Sequence, residues 1–144
     1  MSIFIRPFIK SDLTAFEPME PMTRNSRFNP ELAQAMEDSG LAITGIREGK
    51  IFGCGGVHPL SNGQGEIWLR LSQDCLKHKL DTLRWIREGL KIIEEVYPFN
   101  QLNAVVKCCF ASSIKLVKFL GFHETQTEIY DGESWLIFSK RVKK

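Results

Sequence analysis

The chain has 144 residues, 43% hydrophobic and 25% charged, which suits one domain with a single sizeable core. Its 19 basic and 17 acidic residues leave a net charge of +2, too balanced for a nucleic-acid partner. No apolar run has signal-peptide or bilayer-spanning length, so no membrane partner is expected and a cytoplasmic setting is the default.

Ile3 to Phe8, "IFIRPF", alternates and reads as a strand. Ser11 is a candidate cap for a helix through Asp12, Leu13 and Phe16, ended by Pro18 and Pro21. Asn29-Pro30 is a second start signal. It opens a helix through Leu32, Ala33, Ala35 and Met36 that stops at Gly40. "LAITGIREGKIFGCGGV" predicts two strands around a Glu48-Gly49 turn. After a loop of Ser61, Asn62 and Gly63 comes the strand "GEIWLRLS".

The strongest helix is expected from Leu80 to Tyr97. Leu83, Ile86, Leu90, Ile93 and Val96 form its apolar stripe, with Arg84, Glu88, Lys91 and Glu95 opposite at ion-pair spacing. Pro98 closes it, and "LNAVVKCC" is the next strand. "ASSIKLVKFLGF" is a short helix stopped at Gly121, with Ile114, Leu116, Phe119 and Leu120 as its core set. "ETQTEIY" and "SWLIFSKRV" complete a hairpin at Asp131-Gly132, and the basic tail Lys140, Arg141, Lys143, Lys144 reads as solvated.

The order β-α-α-β-β-β-α-β-α-β-β defines one α+β domain over residues 1–144. The strand of Glu66 and that of Leu102 are joined through a long helix, so they should run parallel by a right-handed crossover. The remaining strands can pair as hairpins, giving a mixed, mostly antiparallel sheet with helices on both faces. Cys54, Cys75, Cys108 and Cys109 form no CxxC pair, so neither a disulfide scaffold nor a metal site is expected. "GCGG", Gly53 to Gly56, lies inside a strand pattern with no helix after it; a bulge or a close backbone approach fits better than a phosphate loop. Trp68, Trp85 and Trp135 read as core or sheet-face residues.

Three stretches, "IRPFIKSDL", "GIREGKIFGCGGV" and "SSIKLVKFLGF", in this order of elements resemble the GCN5-related N-acetyltransferase (GNAT) superfamily over Ile3 to Val142. More narrowly, the chain is similar to small divergent GNAT-like proteins of tailed phages. The resemblance implies a splayed parallel pair, Glu66–Leu71 and Leu102–Cys108, that holds the pantetheine arm of acetyl-CoA along the backbone of Leu69 and Leu71. It also implies a pyrophosphate site at the start of the following helix, around Ser72 and Leu80, where free N–H groups and the positive dipole end favour anions.

The implied activity is acetyl transfer from acetyl-CoA, as cosubstrate and without metal, to an amine on a small molecule or protein. The alternative is a catalytically degenerate phage protein of the same fold, acting in a virion or in host takeover through protein contacts. A homodimer or a protein partner is open in either case, in the host cytoplasm or the virion.

Two family features are replaced. The glycine-rich phosphate loop, Arg/Gln-x-x-Gly-x-Gly/Ala, becomes "SQDCLKHKLDT", with no glycine from Ser72 to Arg87. Lys77, His78 and Lys79 are its candidate phosphate partners, or else a solvated basic loop. The tyrosine that protonates the departing thiolate becomes Val117, and a cofactor-contacting asparagine becomes roughly Phe110. Ser112 and Ser113 offer hydroxyls nearby, for the cofactor or as helix caps.

Acetylating an amine also needs a base, because an ammonium group is not a nucleophile. Glu66, at the start of the splayed strand, is the first candidate and His58 the second; a strand-edge glutamate and a loop histidine are the bland readings of each. Cys108 either faces the acceptor or fills space as a small apolar residue.

Overall fold

The computed structural model describes residues 3–16, 30–108, 111–130 and 132–142. Seven strands, β1 (Phe4–Pro7), β2 (Ala42–Arg47), β3 (Lys50–Pro59), β4 (Gln64–Leu71), β5 (Gln101–Lys107), β6 (His123–Tyr130) and β7 (Glu133–Arg141), form one sheet in the order β1-β2-β3-β4-β5-β7-β6. Every neighbouring pair is antiparallel except β4–β5, which is parallel as the crossover requires. Glu48 (φ 53°) and Gly49 (φ 76°) both occupy the left-handed region. That is the twist-matched turn which folds β2 onto β3. The β6–β7 register slips between Glu124 and Gln126.

The α-helices are α1 (Pro30–Ser39), α2 (Lys79–Val96) and α3 (Ala111–Phe119). On one face of the sheet, Ala33 and Met36 of α1 pack with Phe8, Leu13, Cys54 and Trp68. On the other, Leu90 of α2 and Val117 of α3 pack with Val57, Leu102, Val106 and Phe138. The fold is therefore α+β, a mixed sheet with helices on both sides. Gly40 (φ 70°) ends α1 where a side chain would be strained.

Several local readings need correction. The first helical segment is a 3₁₀ turn, Lys10–Thr14, and Ser11 does not cap it. Instead the Asp12 carboxylate reaches back to accept the Ile9 N–H at 3.0 Å. Another 3₁₀ turn, Gln73–Lys77, fills the segment read as a loop before α2. The buried side of α2 is centred on Thr82, Trp85 and Leu90, and Val96 is exposed. In α3 the buried residues are Ser113 and Val117, with Leu120 just beyond, whereas Phe119 is exposed under the Arg87 guanidinium, 5.8 Å from its ring centroid. Val117 and Leu120 hold the covered side of this last turn, and Phe119 falls on its outer side. Pro18, Pro21, Asn29, Cys109, Phe110, Asp131, Lys143 and Lys144 lie outside the described residues.

The glycines of "GCGG" mark close approach. A Cβ on Gly55 would lie 2.9 Å from the Trp68 carbonyl oxygen, and one on Gly56 would overlap the Leu41 carbonyl oxygen. The three tryptophans are buried.

Candidate active site

The parallel pair does not run its full length. β4 and β5 pair at Gln64–Gln101, Gly65–Leu102 and Glu66–Asn103, and then separate while β4 continues to Leu71 and β5 to Lys107. The strands thus form a V, with Glu66 and Asn103 as the last pair before it opens.

Alternation of side chains assigns each residue near this vertex to a face. Cross-strand pairing lines up His58, Glu66, Asn103, Ser139 and His123 in one row on the α1 face. Glu66 is 2% exposed, so it is no solvated edge residue. The Asn103 amide donates to Gln64 Oε1 at 3.1 Å and accepts from Ser139 Oγ and Gln101 Nε2, both at 2.8 Å. These bonds tie β4, β5 and β7 together just where β4 and β5 part.

Sequence reading singled out Glu66 and His58, and the register makes them cross-strand neighbours. It missed Gln64, Asn103 and Ser139. The only signal for Asn103 was a polar residue in the otherwise apolar "LNAVV". Cys108 is not brought to this group: it lies in the turn beyond β5, its N–H donating to the Ser134 carbonyl at 3.1 Å. Five residues of strand put it roughly 16 Å from Asn103.

The opposite face of the V is apolar. A cavity of about 140 Å³ lies between α2, α3 and the sheet, bounded at the V by Ile67 and Leu69 of β4 and Val106 of β5. Ser113 and Val117, both buried, line it from α3. Trp85 lines it from α2, and its buried Nε1–H has no acceptor among the described residues. An unsatisfied buried donor costs about 1–3 kcal/mol, so this indole is suited to a ligand carbonyl. Leu71 instead packs into the core with Phe52 and Cys75.

The start of α2 carries a different chemistry. Lys77, Lys79 and Leu80 are exposed there, while His78 is half-buried and precedes the first helical residue. His78 Nε2 lies 2.9 Å from Arg47 Nη1. A guanidinium only donates, so Nε2 is the acceptor in this contact. The fixed cation at this helix start is therefore Arg47, whose Nε is buried and 3.8 Å from Asp81 Oδ2. Arg47 had no local signal; only the β2–β3 hairpin brings it beside α2.

Ser72 is buried, with its N–H already donated to the Phe52 carbonyl at 3.0 Å and its Oγ without a partner among the described residues. Its amide is thus committed to the sheet. Ser112 is exposed on the first turn of α3.

One further charged group is buried on the α1 face. Asp12 accepts from Arg6 Nη1 (2.9 Å) and Nη2 (2.7 Å), from Ile9 N and from Thr44 Oγ1 (2.6 Å). Burial pushes its pKa up, but the bonds from Arg6, Thr44 and Ile9 outweigh that and hold it below the usual carboxylate range. Burial pushes the nearby Cys54 thiol up to about 12. Among the described residues there is no cluster of three His, Cys, Asp or Glu side chains able to hold a metal, and no helix long and apolar enough to cross a membrane.

No protein-family model matches the chain, and no curated protein matches it by sequence. Solved structures do match over nearly the whole length. Ard1 from Thermoplasma volcanium superposes with a TM-score of 0.78 at 13% identity, covering 100% of both chains. Ribosomal-protein-alanine N-acetyltransferase from Brucella melitensis gives 0.70 at 17% identity, covering 96% of this chain and 99% of its own. A GNAT-family acetyltransferase from Streptococcus pneumoniae gives 0.68 at 12% identity, covering 98% and 100%. Likeness at such low identity concerns the fold, and the fold is that of the GNAT superfamily.

Proposed function

We propose that this chain transfers an acetyl group from acetyl-CoA to an amine at the vertex of the β4–β5 V. One observation carries the reading: the strands part immediately after the Glu66–Asn103 pair, with buried Glu66 on one face and the apolar cavity on the other. Donor and acceptor then approach from opposite faces of the sheet and meet where no backbone hydrogen bonds intervene.

In this reading Glu66 takes a proton from the acceptor amine, with His58 as the alternative acceptor. The amine nitrogen attacks the thioester carbon, the new C–N bond forms and the C–S bond breaks. Val117 has no proton to give, so the thiolate leaves without help from α3 and is protonated from solvent. Coenzyme A is a tolerable leaving group unassisted, since thiols ionise near pH 8.5. Holding amine and thioester together supplies more than acid–base help in any case: on the order of 10⁵ M or above in effective molarity, against roughly 10²–10⁴ in rate.

The phosphates of the donor are assigned to the start of α2. Arg47, Lys77 and Lys79 provide charge there in place of a glycine-rich loop, and His78 orients the Arg47 guanidinium. The chain as a whole is taken as one such domain acting in the cytoplasm.

The glycine-free 3₁₀ turn at Gln73–Lys77 and the valine at 117 favour a second reading, an inert protein of this fold that works through protein contacts. Calorimetric titration with acetyl-CoA separates the two. Binding, followed by thiol release with a panel of amines, supports the transferase. Glu66→Gln should then lower kcat by roughly 10²–10⁴ and leave the acetyl-CoA dissociation constant within about twofold. Absence of acetyl-CoA binding refutes the transferase and leaves the contact protein.

A further inference from the structure

The cavity extends well beyond the residues at the V. From Ile67, Leu69 and Val106 at the V it continues beneath α2 to Ile43 and Ile5. A glycine faces it from the middle of α2. Gly89 lines the cavity, and a Cβ placed there would meet only Ile43 Cδ1, at 3.9 Å.

That glycine has no conformational reason to be present. It sits inside an 18-residue helix, where glycine is less favourable than alanine. Neither a neighbour nor a positive φ demands it. What it does is leave space. The glycines of β3 are different, because there a Cβ would strike backbone oxygen.

We propose that the cavity receives the aliphatic tail of the donor, so that short- to medium-chain acyl-CoAs bind more tightly than acetyl-CoA, with Gly89 setting the chain length. This rests on the transferase reading and refines its donor class. The bonds exchanged stay the same: a C–N bond forms, the thioester C–S bond breaks and the acyl chain moves with the carbon.

The occupant follows from the cavity itself. Its walls at the V are residues of the proposed transfer site, so a chain carried on the thioester is within reach of it. The lining is almost wholly aliphatic or aromatic and carries no charged side chain. An apolar cavity of about 150 Å³ accommodates a six-carbon molecule such as benzene; this one has a similar volume, about 140 Å³, and opens to solvent at the half-exposed Ile5 and Ile92. A hexanoyl chain adds four methylenes to acetyl, each worth roughly fourfold in affinity when buried. After the cost of ordering the chain, a ten- to hundredfold gain is expected.

The experiment measures binding of free CoA, acetyl-CoA, butyryl-CoA and hexanoyl-CoA by calorimetry, for wild type, Gly89→Ala and Gly89→Leu. Thermal melting confirms that each variant is folded. Wild type should bind hexanoyl-CoA roughly ten- to hundredfold more tightly than acetyl-CoA. Gly89→Ala should reduce that ratio, and Gly89→Leu should bring it to within about twofold of one as the cavity fills.

Binding of CoA with no dependence on chain length in wild type overturns the proposal and leaves the transferase reading intact. Equal loss of free CoA and every acyl-CoA in Gly89→Leu also overturns it, since the cavity then carries the pantetheine arm. Failure of every CoA species to bind wild type overturns both readings.

Discussion

Replacing Asp12 with alanine removes the acceptor shared by Arg6, Ile9 and Thr44. The three donors lose different amounts. The Thr44 hydroxyl is fully buried and cannot turn to water, so leaving it unpaired costs about 1–3 kcal/mol. Arg6 is about a third exposed and rehydrates, contributing little. Ile9 lies at the surface, so its N–H also finds water. Loss of the charge-assisted bonds and of the fixed 3₁₀ turn adds to the Thr44 cost, for a total of about 2–4 kcal/mol.

Urea unfolding followed by fluorescence of the three buried tryptophans measures this as a fall in midpoint at constant slope. The pH dependence supplies a separate check. Asp12 titrates below its ordinary value in the folded state, so its contribution is complete above the unfolded carboxyl pKa of about 4. It is lost as pH falls through the lower folded value. The stability gap between wild type and Asp12→Asn should therefore be constant from pH 6 to 8, roughly, and shrink toward pH 3. A loss under about 1 kcal/mol in Asp12→Ala, or a gap that widens on acidification, refutes the assignment.

Arg47→Ala combined with Lys77→Ala and Lys79→Ala should weaken acetyl-CoA binding and flatten its salt dependence; calorimetry at two ionic strengths reads both, and unchanged affinity removes these residues from the phosphate site. Gly56→Ala should cost about 3 kcal/mol or more, because the new methyl overlaps the Leu41 carbonyl and β2 and β3 cannot separate without losing pairing. Its measure is the thermal midpoint, and a change of under a degree counts against the packing described. Cys54, with its thiol pushed up to about 12 and no solvent access, should resist a thiol-specific reagent at pH 8 until the protein unfolds. Peptide mapping should find Cys108, which is partly exposed, labelled before Cys54.

The strands, the long crossover helix and most turns were readable because their causes are local. Glu48-Gly49 needs two left-handed residues and declares itself, and Gly40 stops a helix wherever it stands at its end. Readings failed where a distant partner decided the outcome. Ser11 is a sound cap by composition, but Asp12 also satisfies Arg6 and Thr44, so the turn is built around the acid instead. Val96 and Phe119 fit an apolar helical spacing and are nonetheless exposed. The row of Glu66, Asn103 and Ser139 comes from three strands separated by 37 and 36 positions, and no periodicity within one segment records that alignment. Arg47 is similar: a hairpin residue by sequence, it reaches the start of α2 only through the order of the sheet. Gly89 carried no signal in the helix pattern, and its meaning depends on a space that only packing creates.

The register slip between Glu124 and Gln126 lies on β6, the last strand at one margin of the sheet. The inserted residue bends the outer row of amides and carbonyls, and Glu124 and Glu128 add like charge along it. At the other margin β1 has only four residues and ends in Pro7, which has no N–H to offer. Neither margin presents a long, regular template onto which another polypeptide can add a strand. The sheet is therefore finite, protected from growing into a ribbon or fibre by its own two borders.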